Sequence, residues 1–256
     1  MSKYLLLGSA TDLGVRFLGL AAKSKLQIKC LYRDKLPRGR INQHPIVVSA
    51  LGGTPIPLRL RLDSHSDPRV LEPILEDLDG VVCLCPELPP RRREPEIQML
   101  GDTVVSLMRK STRLRRLLIW TKIPRQYPHG YDIPSAQTEA FLKGVQSAEG
   151  LDWTIVRSGR WLDDVAGPND EQGERRLVAA MKDTPPGGIE LGANSGDSVW
   201  KEDMSRVLLE VLKADGLTGR TLDVKSVKAT KDNGIEKVIA ELAASPKEKS
   251  EPEKSV

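Results

Sequence analysis

Gly8, Thr11 and Gly14 stand three residues apart, just after the apolar run Lys3-Tyr4-Leu5-Leu6-Leu7 and at the head of an amphipathic segment. A turn of this type between a strand and a helix can hold an anion. One glycine makes the sharp bend, a second lets backbone N–H groups approach a pyrophosphate, and a third lets the helix pack close to the strand. The helix start adds its dipole and its unpaired N–H groups. Gly8 suits the first role and Gly14 the third. Thr11 occupies the middle position, where it brings a Cβ and a hydroxyl that can be offered to a phosphate. Asp12 is a second departure, because a carboxylate at a helix start is a good cap and can take the place of the phosphate. The segment Gly8-Ser9-Ala10-Thr11-Asp12-Leu13-Gly14 therefore admits two readings: a dinucleotide turn, contacting its ligand through Gly8, Ala10, Thr11, Asp12, Leu13 and Gly14, or an ordinary turn whose helix caps itself.

Arg33 favours the first reading, the alternative being a solvated arginine in a basic loop. It ends the second apolar run, Leu26-Gln27-Ile28-Lys29-Cys30-Leu31-Tyr32, where the residue faces the adenosine ribose of a bound dinucleotide. An acidic residue there favours a free 2′-hydroxyl and an arginine favours a 2′-phosphate. Arg33, with Lys35 and Arg38 nearby, points to NADP(H).

The elements that must position these residues alternate along the chain. Strand patterns lie near 3–8, 26–32, 57–62, 80–85, 115–120 and 151–157, and helical patterns near 12–24, 67–78, 95–111 and 135–149. Gly80-Val81-Val82-Cys83-Leu84-Cys85 and Leu117-Leu118-Ile119-Trp120 are apolar on consecutive residues, as parallel strands covered on both faces require. The expected fold is α/β, a Rossmann-type doubly wound parallel sheet. Residues 1–157 form its dinucleotide-binding core. Residues 158–244, with helical patterns at 172–183, 201–214 and 231–244 and short strands at 189–191 and 221–224, read as a small C-terminal substrate lobe over the sheet edge. Residues 245–256 are a charged low-complexity tail with nothing to bury, expected to be disordered.

Composition bounds the function classes. The chain has 256 residues, 39% of them hydrophobic, with a formal net charge of +4, enough for a sizeable core and too mild a basic excess to argue for nucleic acid. Three cysteines without framework spacing fit a reducing compartment. No apolar run reaches the roughly 18–20 residues of a membrane span, and the N-terminal run is too short for a signal peptide. These features together predict a cytoplasmic protein with a small-molecule substrate; oligomeric state is not legible. His44, His65 and His129 are scattered, so no metal is expected.

Several segments together resemble the short-chain dehydrogenase/reductase superfamily, in its atypical NmrA-like branch. Leu7 to Gly14 resembles the branch's GATGxxG turn, Cys30-Leu31-Tyr32-Arg33-Asp34 its "VRD" strand end, and Arg116-Leu117-Leu118-Ile119-Trp120-Thr121 its "RLVYVSS". The most specific match is Glu149-Gly150-Leu151-Asp152-Trp153-Thr154-Ile155-Val156-Arg157-Ser158-Gly159, similar to "SGLDWTIVRPG"; Val199-Trp200-Lys201-Glu202-Asp203-Met204 resembles "ISRADVA". The resemblance implies further cofactor contacts at Asp63, after the third strand, and at Cys85, Pro86 and Thr121, at the carboxyl ends of the fourth and fifth.

The resemblance also implies a catalytic tyrosine with a lysine four residues on, and here the sequence departs. Tyr131 is followed at that spacing by Ser135, and Lys122 is the nearest candidate to replace the lysine. Without a cation beside it, a tyrosine keeps a pKa of about 10 and is a poor acid–base catalyst at neutral pH. Trp161 lies in the loop expected to roof the substrate site. The leading expectation is an NADP(H)-dependent oxidoreductase of a small organic substrate. The alternatives are a non-redox enzyme on the same fold (an isomerase, cyclase or dehydratase) and a non-catalytic NADP(H) sensor that binds a partner protein.

Overall fold

The computed structural model describes residues 2–9, 11–32, 59–61, 75–84, 105–111, 113–122, 136–147, 150–159, 161, 188–191, 199–227 and 234–245. The strands are β1 (Lys3–Leu7), β2 (Gln27–Tyr32), β3 (Arg59–Arg61), β4 (Gly80–Cys83), β5 (Arg116–Lys122), β6 (Asp152–Ser158), β7 (Gly188–Leu191) and β8 (Arg220–Val227). The helices are α1 (Asp12–Lys23), α2 (Ser106–Lys110), α3 (Ala136–Gln146), α4 (Lys201–Lys213) and α5 (Ile235–Ala244).

All eight strands form one sheet in the order β3-β2-β1-β4-β5-β6-β8-β7. Every neighbouring pair is parallel except β7 with β8, which is antiparallel. The chain runs outward from β1 to β3, then returns to β1's other side at β4. The order therefore reverses between β1 and β4, and in open α/β sheets ligands bind outside the carboxyl ends of the strands at such a reversal.

The consecutive apolar residues of the central strands divide between two cores. Leu6, Val82, Leu118, Trp120, Val156, Leu222 and Val224 point to one face, where Leu13, Phe17, Leu18 and Ala21 of α1, Met204, Val207, Leu208 and Val211 of α4 and Ile235 and Ile239 of α5 cover them. Leu5, Leu7, Val81, Cys83, Leu117, Ile119 and Ile155 point to the other, against Met108 of α2 and Val145 of α3. The period-two alternation of a strand makes this division automatic once both faces are covered. The fold class is thus the doubly wound one.

The late elements, expected as a lobe over the sheet edge, supply that edge themselves. β8 adds to β6 in parallel, with Thr154 opposite Arg220 and Ser158 opposite Val224, and α4 joins the same helical layer as α1. Arg113 and Arg116 are drawn into structural ion pairs. Arg113 holds Asp79 at 2.9 Å and Asp77 at 3.2 Å. Arg116, largely buried, holds Asp152 at 2.6 Å and donates to the Val211 carbonyl at 2.8 Å, pinning β5 to β6 and to the end of α4. The expected helix at 172–183 and the tail after Ser245 lie outside the described residues.

Candidate functional site

The turn after β1 is built by its glycines and by Thr11. Gly8 has φ +81°, the left-handed region that a Cβ disfavours, and this reverses the chain at the strand end. Gly14 sits in the first turn of α1 against that bend. A Cβ there would lie 2.3 Å from the Gly8 carbonyl oxygen and 2.9 Å from Ser9 Cα. Only glycine lets the helix start so close to the strand end, which is the role expected of it.

Thr11 is the N-cap of α1. Its hydroxyl accepts from the Gly14 N–H at 2.9 Å and donates to the Gly8 carbonyl at 2.8 Å, and its own N–H donates to the same carbonyl at 3.1 Å. This corrects two expectations. The Thr11 hydroxyl is engaged inside the turn instead of being offered to a phosphate. The helix cap is Thr11 and not Asp12, one residue earlier than expected.

Asp12 is the first helical residue, and its carboxylate turns outward to two cations. Arg16 Nε lies 3.2 Å from Oδ1, and Lys201 Nζ, from the first residue of α4, lies 3.3 Å from Oδ2. Partial burial would raise the Asp12 pKa. The positive charges of Arg16 and Lys201 outweigh it and hold the carboxyl below its ordinary value. Arg16 also reaches Glu202 at 3.6 Å, so an alternating chain of charge joins the starts of α1 and α4.

A second group gathers at the carboxyl ends of β5 and β6. The Trp120 indole N–H donates to Ser158 Oγ at 3.1 Å, and Lys122 stands in register with Ser158. Thr121 is buried. Trp161 is only 3% exposed. Its ring stacks on Trp120 with centroids 5.1 Å apart and planes 18° from parallel, and its backbone bridges Val199. Expected to roof a substrate pocket, Trp161 is instead a core residue whose faces are taken up by Trp120 and by Lys201 Nζ, 5.7 Å from its ring centre. Offset stacking and a partly desolvated cation each contribute about 0.5–1.5 kcal/mol. The start of α4 is fastened in turn to β8. The Trp200 N–H donates to Ser226 Oγ at 3.1 Å, and Ser226 Oγ donates to the buried Asp203 at 2.6 Å.

Of the expected site residues, the structure brings Gly8, Thr11, Asp12, Leu13 and Gly14 together at the β1 end, and Thr121 and Lys122 at the β5 end. Ala10, Arg33, Asp63, Cys85, Pro86 and Tyr131 lie outside the described residues. Two residues of the site were missed by sequence reasoning. Ser9, 1% exposed, has a hydroxyl inside the glycine turn with no hydrogen-bonding partner among the described residues; its place in the motif was the available signal. Lys201 reaches the turn from far along the chain, and no local spacing announces it. Among the described residues no cluster of three or more His, Cys, Asp or Glu side chains is arranged to hold a metal, and no helix is long and apolar enough to cross a membrane.

The residues present fit a dinucleotide phosphate. A left-handed glycine, a close approach that a Cβ would block and an orphaned buried hydroxyl coincide at the helix start beside the strand-order reversal.

No protein-family model matches the chain, and no curated protein matches it in sequence. Solved structures do match in shape. The oxidoreductase ylbE from Lactococcus lactis is 14% identical with a TM-score of 0.56, covering 94% of this chain and 96% of its own. The anaerobillin reductase ChuY from Escherichia coli O157:H7 is 12% identical with a TM-score of 0.58, covering 90% and 99%. The yeast methylglyoxal/isovaleraldehyde reductase Gre2, solved in complex with NADPH, is 12% identical with a TM-score of 0.52, covering 88% and 76%. At such identities the likeness establishes the fold alone, and that fold is the Rossmann-type fold these reductases share.

Proposed function

We propose that the chain is an NADP(H)-binding protein of the atypical, NmrA-like short-chain dehydrogenase/reductase type, acting on a small organic substrate. The observation that carries this reading is the closure of Gly14 on Gly8 at the β1–β4 reversal, a packing that sets the start of α1 against the strand end, where a pyrophosphate binds in such turns. Gly8, Ser9 and the first turn of α1 would hold the pyrophosphate, with Ser9 Oγ as an added donor. Arg33 would meet the 2′-phosphate, as its place after β2 suggests.

When bound, the nicotinamide supplies a hydride donor or acceptor. The chain's own part is to orient, exclude water and stabilise charge. The carboxyl end of β5 carries Thr121 and Lys122, and Lys122 would be the cation that meets a developing oxyanion. A redox role without a tyrosine–lysine pair then relies on positioning more than on proton transfer. The spacing of Tyr131 and Ser135 favours one second reading, a non-redox reaction run in the same pocket by acid–base groups.

Calorimetric titration with NADPH and NADH tests the reading. NADPH should bind more tightly. Equal affinity would remove the role given to Arg33, and no binding of either at millimolar concentration would leave the self-capped turn. NADPH consumption across a panel of carbonyl and enone substrates then separates the redox reading from the non-redox one.

A further inference from the structure

A carboxylate at the first position of a phosphate-binding helix is an electrostatic fault, because it presents a negative charge to a negative ligand. The structure corrects the fault from a distance. Lys201 is 9% exposed and lies 3.3 Å from the Asp12 carboxylate, and Trp161 flanks its ammonium. Its position is over-determined. The Trp200 backbone before it is tied to Ser226, its own carbonyl accepts from Ser205 Oγ at 2.6 Å, and Trp161 is stacked on Trp120. A lysine fixed by packing holds its partner more firmly than a solvated one, since less side-chain freedom remains to be lost.

We propose that Lys201 is a positioning residue for the dinucleotide site: it holds the Asp12 carboxylate aside and neutralises it, so that the start of α1 can receive a pyrophosphate. The inference rests on the dinucleotide reading above. It explains how the glycine turn tolerates Asp12, and it gives the Trp120–Trp161 stack a use beyond packing, as the wall that fixes the lysine. Arg16 shares the carboxylate at 3.2 Å and also reaches Glu202 at 3.6 Å.

The test is a double-mutant cycle read by calorimetric titration with NADPH. Lys201→Met keeps the buried stem and removes the charge. It should weaken NADPH binding by about tenfold, the scale of coupling between neighbouring charged residues. In an Asp12→Asn background, where no carboxylate needs holding, the same change should cost less than about threefold. Lys201→Arg should restore most of the affinity, which a purely structural role for the lysine stem would not require. Melting temperatures of all variants identify any that fail to fold, and Lys201→Gln, which also removes the charge, carries the cycle if Lys201→Met does not fold. An equal loss in both backgrounds, or none in either, overturns the inference while leaving the dinucleotide reading standing. Absence of NADPH binding in the unmodified protein and in Asp12→Asn alike overturns both.

Discussion

Gly14→Ala is the sharpest perturbation the structure offers. The new Cβ would meet the Gly8 carbonyl oxygen at 2.3 Å, Ser9 Cα at 2.9 Å and Ser9 C at 3.0 Å. All three are backbone atoms in a turn fixed by Thr11, so none can swing away. Helix α1 would have to retreat by about 1 Å before the contact became ordinary, opening the packing of Leu13 and Phe17 on the sheet. Overpacking of this kind costs about 1–3 kcal/mol, against which alanine regains at most about 1 kcal/mol of helix propensity. The net loss, up to about 2 kcal/mol after the full propensity gain, should lower Tm by up to several degrees in a chain of this size, at about 2–4 °C per kcal/mol. Gly144→Ala is the matched control. It also lies in a helix, α3, but its new Cβ would meet nothing within 4 Å. It should raise Tm, because only the propensity term remains. Thermal unfolding followed by circular dichroism compares the two, and NADPH affinity should fall with Gly14→Ala alone. A Gly14→Ala protein as stable as the parent, binding NADPH equally well, would refute the close-approach argument.

Other outcomes follow from the same structure. Arg33→Ala should erase most of any preference for NADPH over NADH, since a charge-assisted contact to the 2′-phosphate is worth about 1.5–3 kcal/mol; an unchanged ratio of the two affinities would remove Arg33 from the site. Trp161→Ala empties a buried position stacked on Trp120 and should cost about 3–5 kcal/mol of stability, so a melting temperature close to the parent's would contradict its core placement. Tyr131→Phe should lower any turnover by less than about tenfold, because a general acid usually supplies 10²–10⁴-fold; a hundredfold loss with binding intact would reveal a cation that activates the tyrosine. Burial opposes ionisation of Asp12, but Arg16 and Lys201 hold its folded pKa below the unfolded one. Its contribution to stability is therefore present above about pH 4 and lost as pH falls through the folded value. Asp12→Asn should flatten the acid limb of a Tm-against-pH curve, and identical limbs would contradict the ion pairs.

How far the sequence could be read depended on whether a feature was local. The glycine turn, the consecutive apolar residues of Leu117-Leu118-Ile119 and the amphipathic pattern of α4 are each set by neighbours in the chain, and each appears where expected. The expected strand at 115–120 became Arg116–Lys122, an ordinary boundary error that nonetheless moves Lys122 from a loop into the sheet. The cap was misplaced by one residue for a similar reason: Thr11 and Asp12 are both good caps, and only the backbone shows which one precedes the helix. What stayed hidden was long-range. Nothing local in Val199-Trp200-Lys201 reveals that its lysine meets Asp12, and nothing around Trp161 reveals that its ring lies on Trp120. Both contacts arise only when β8 joins β6 and brings α4 beside α1.

The turn between β1 and α1 is proposed to receive the pyrophosphate of a nicotinamide dinucleotide. A crystal structure of the chain grown with NADP⁺ tests it most directly. The pyrophosphate should lie against Gly8, Ser9 and the first turn of α1, with Asp12 still held by Lys201. Nucleotide bound away from this turn, or a turn left empty at saturating NADP⁺, would contradict it.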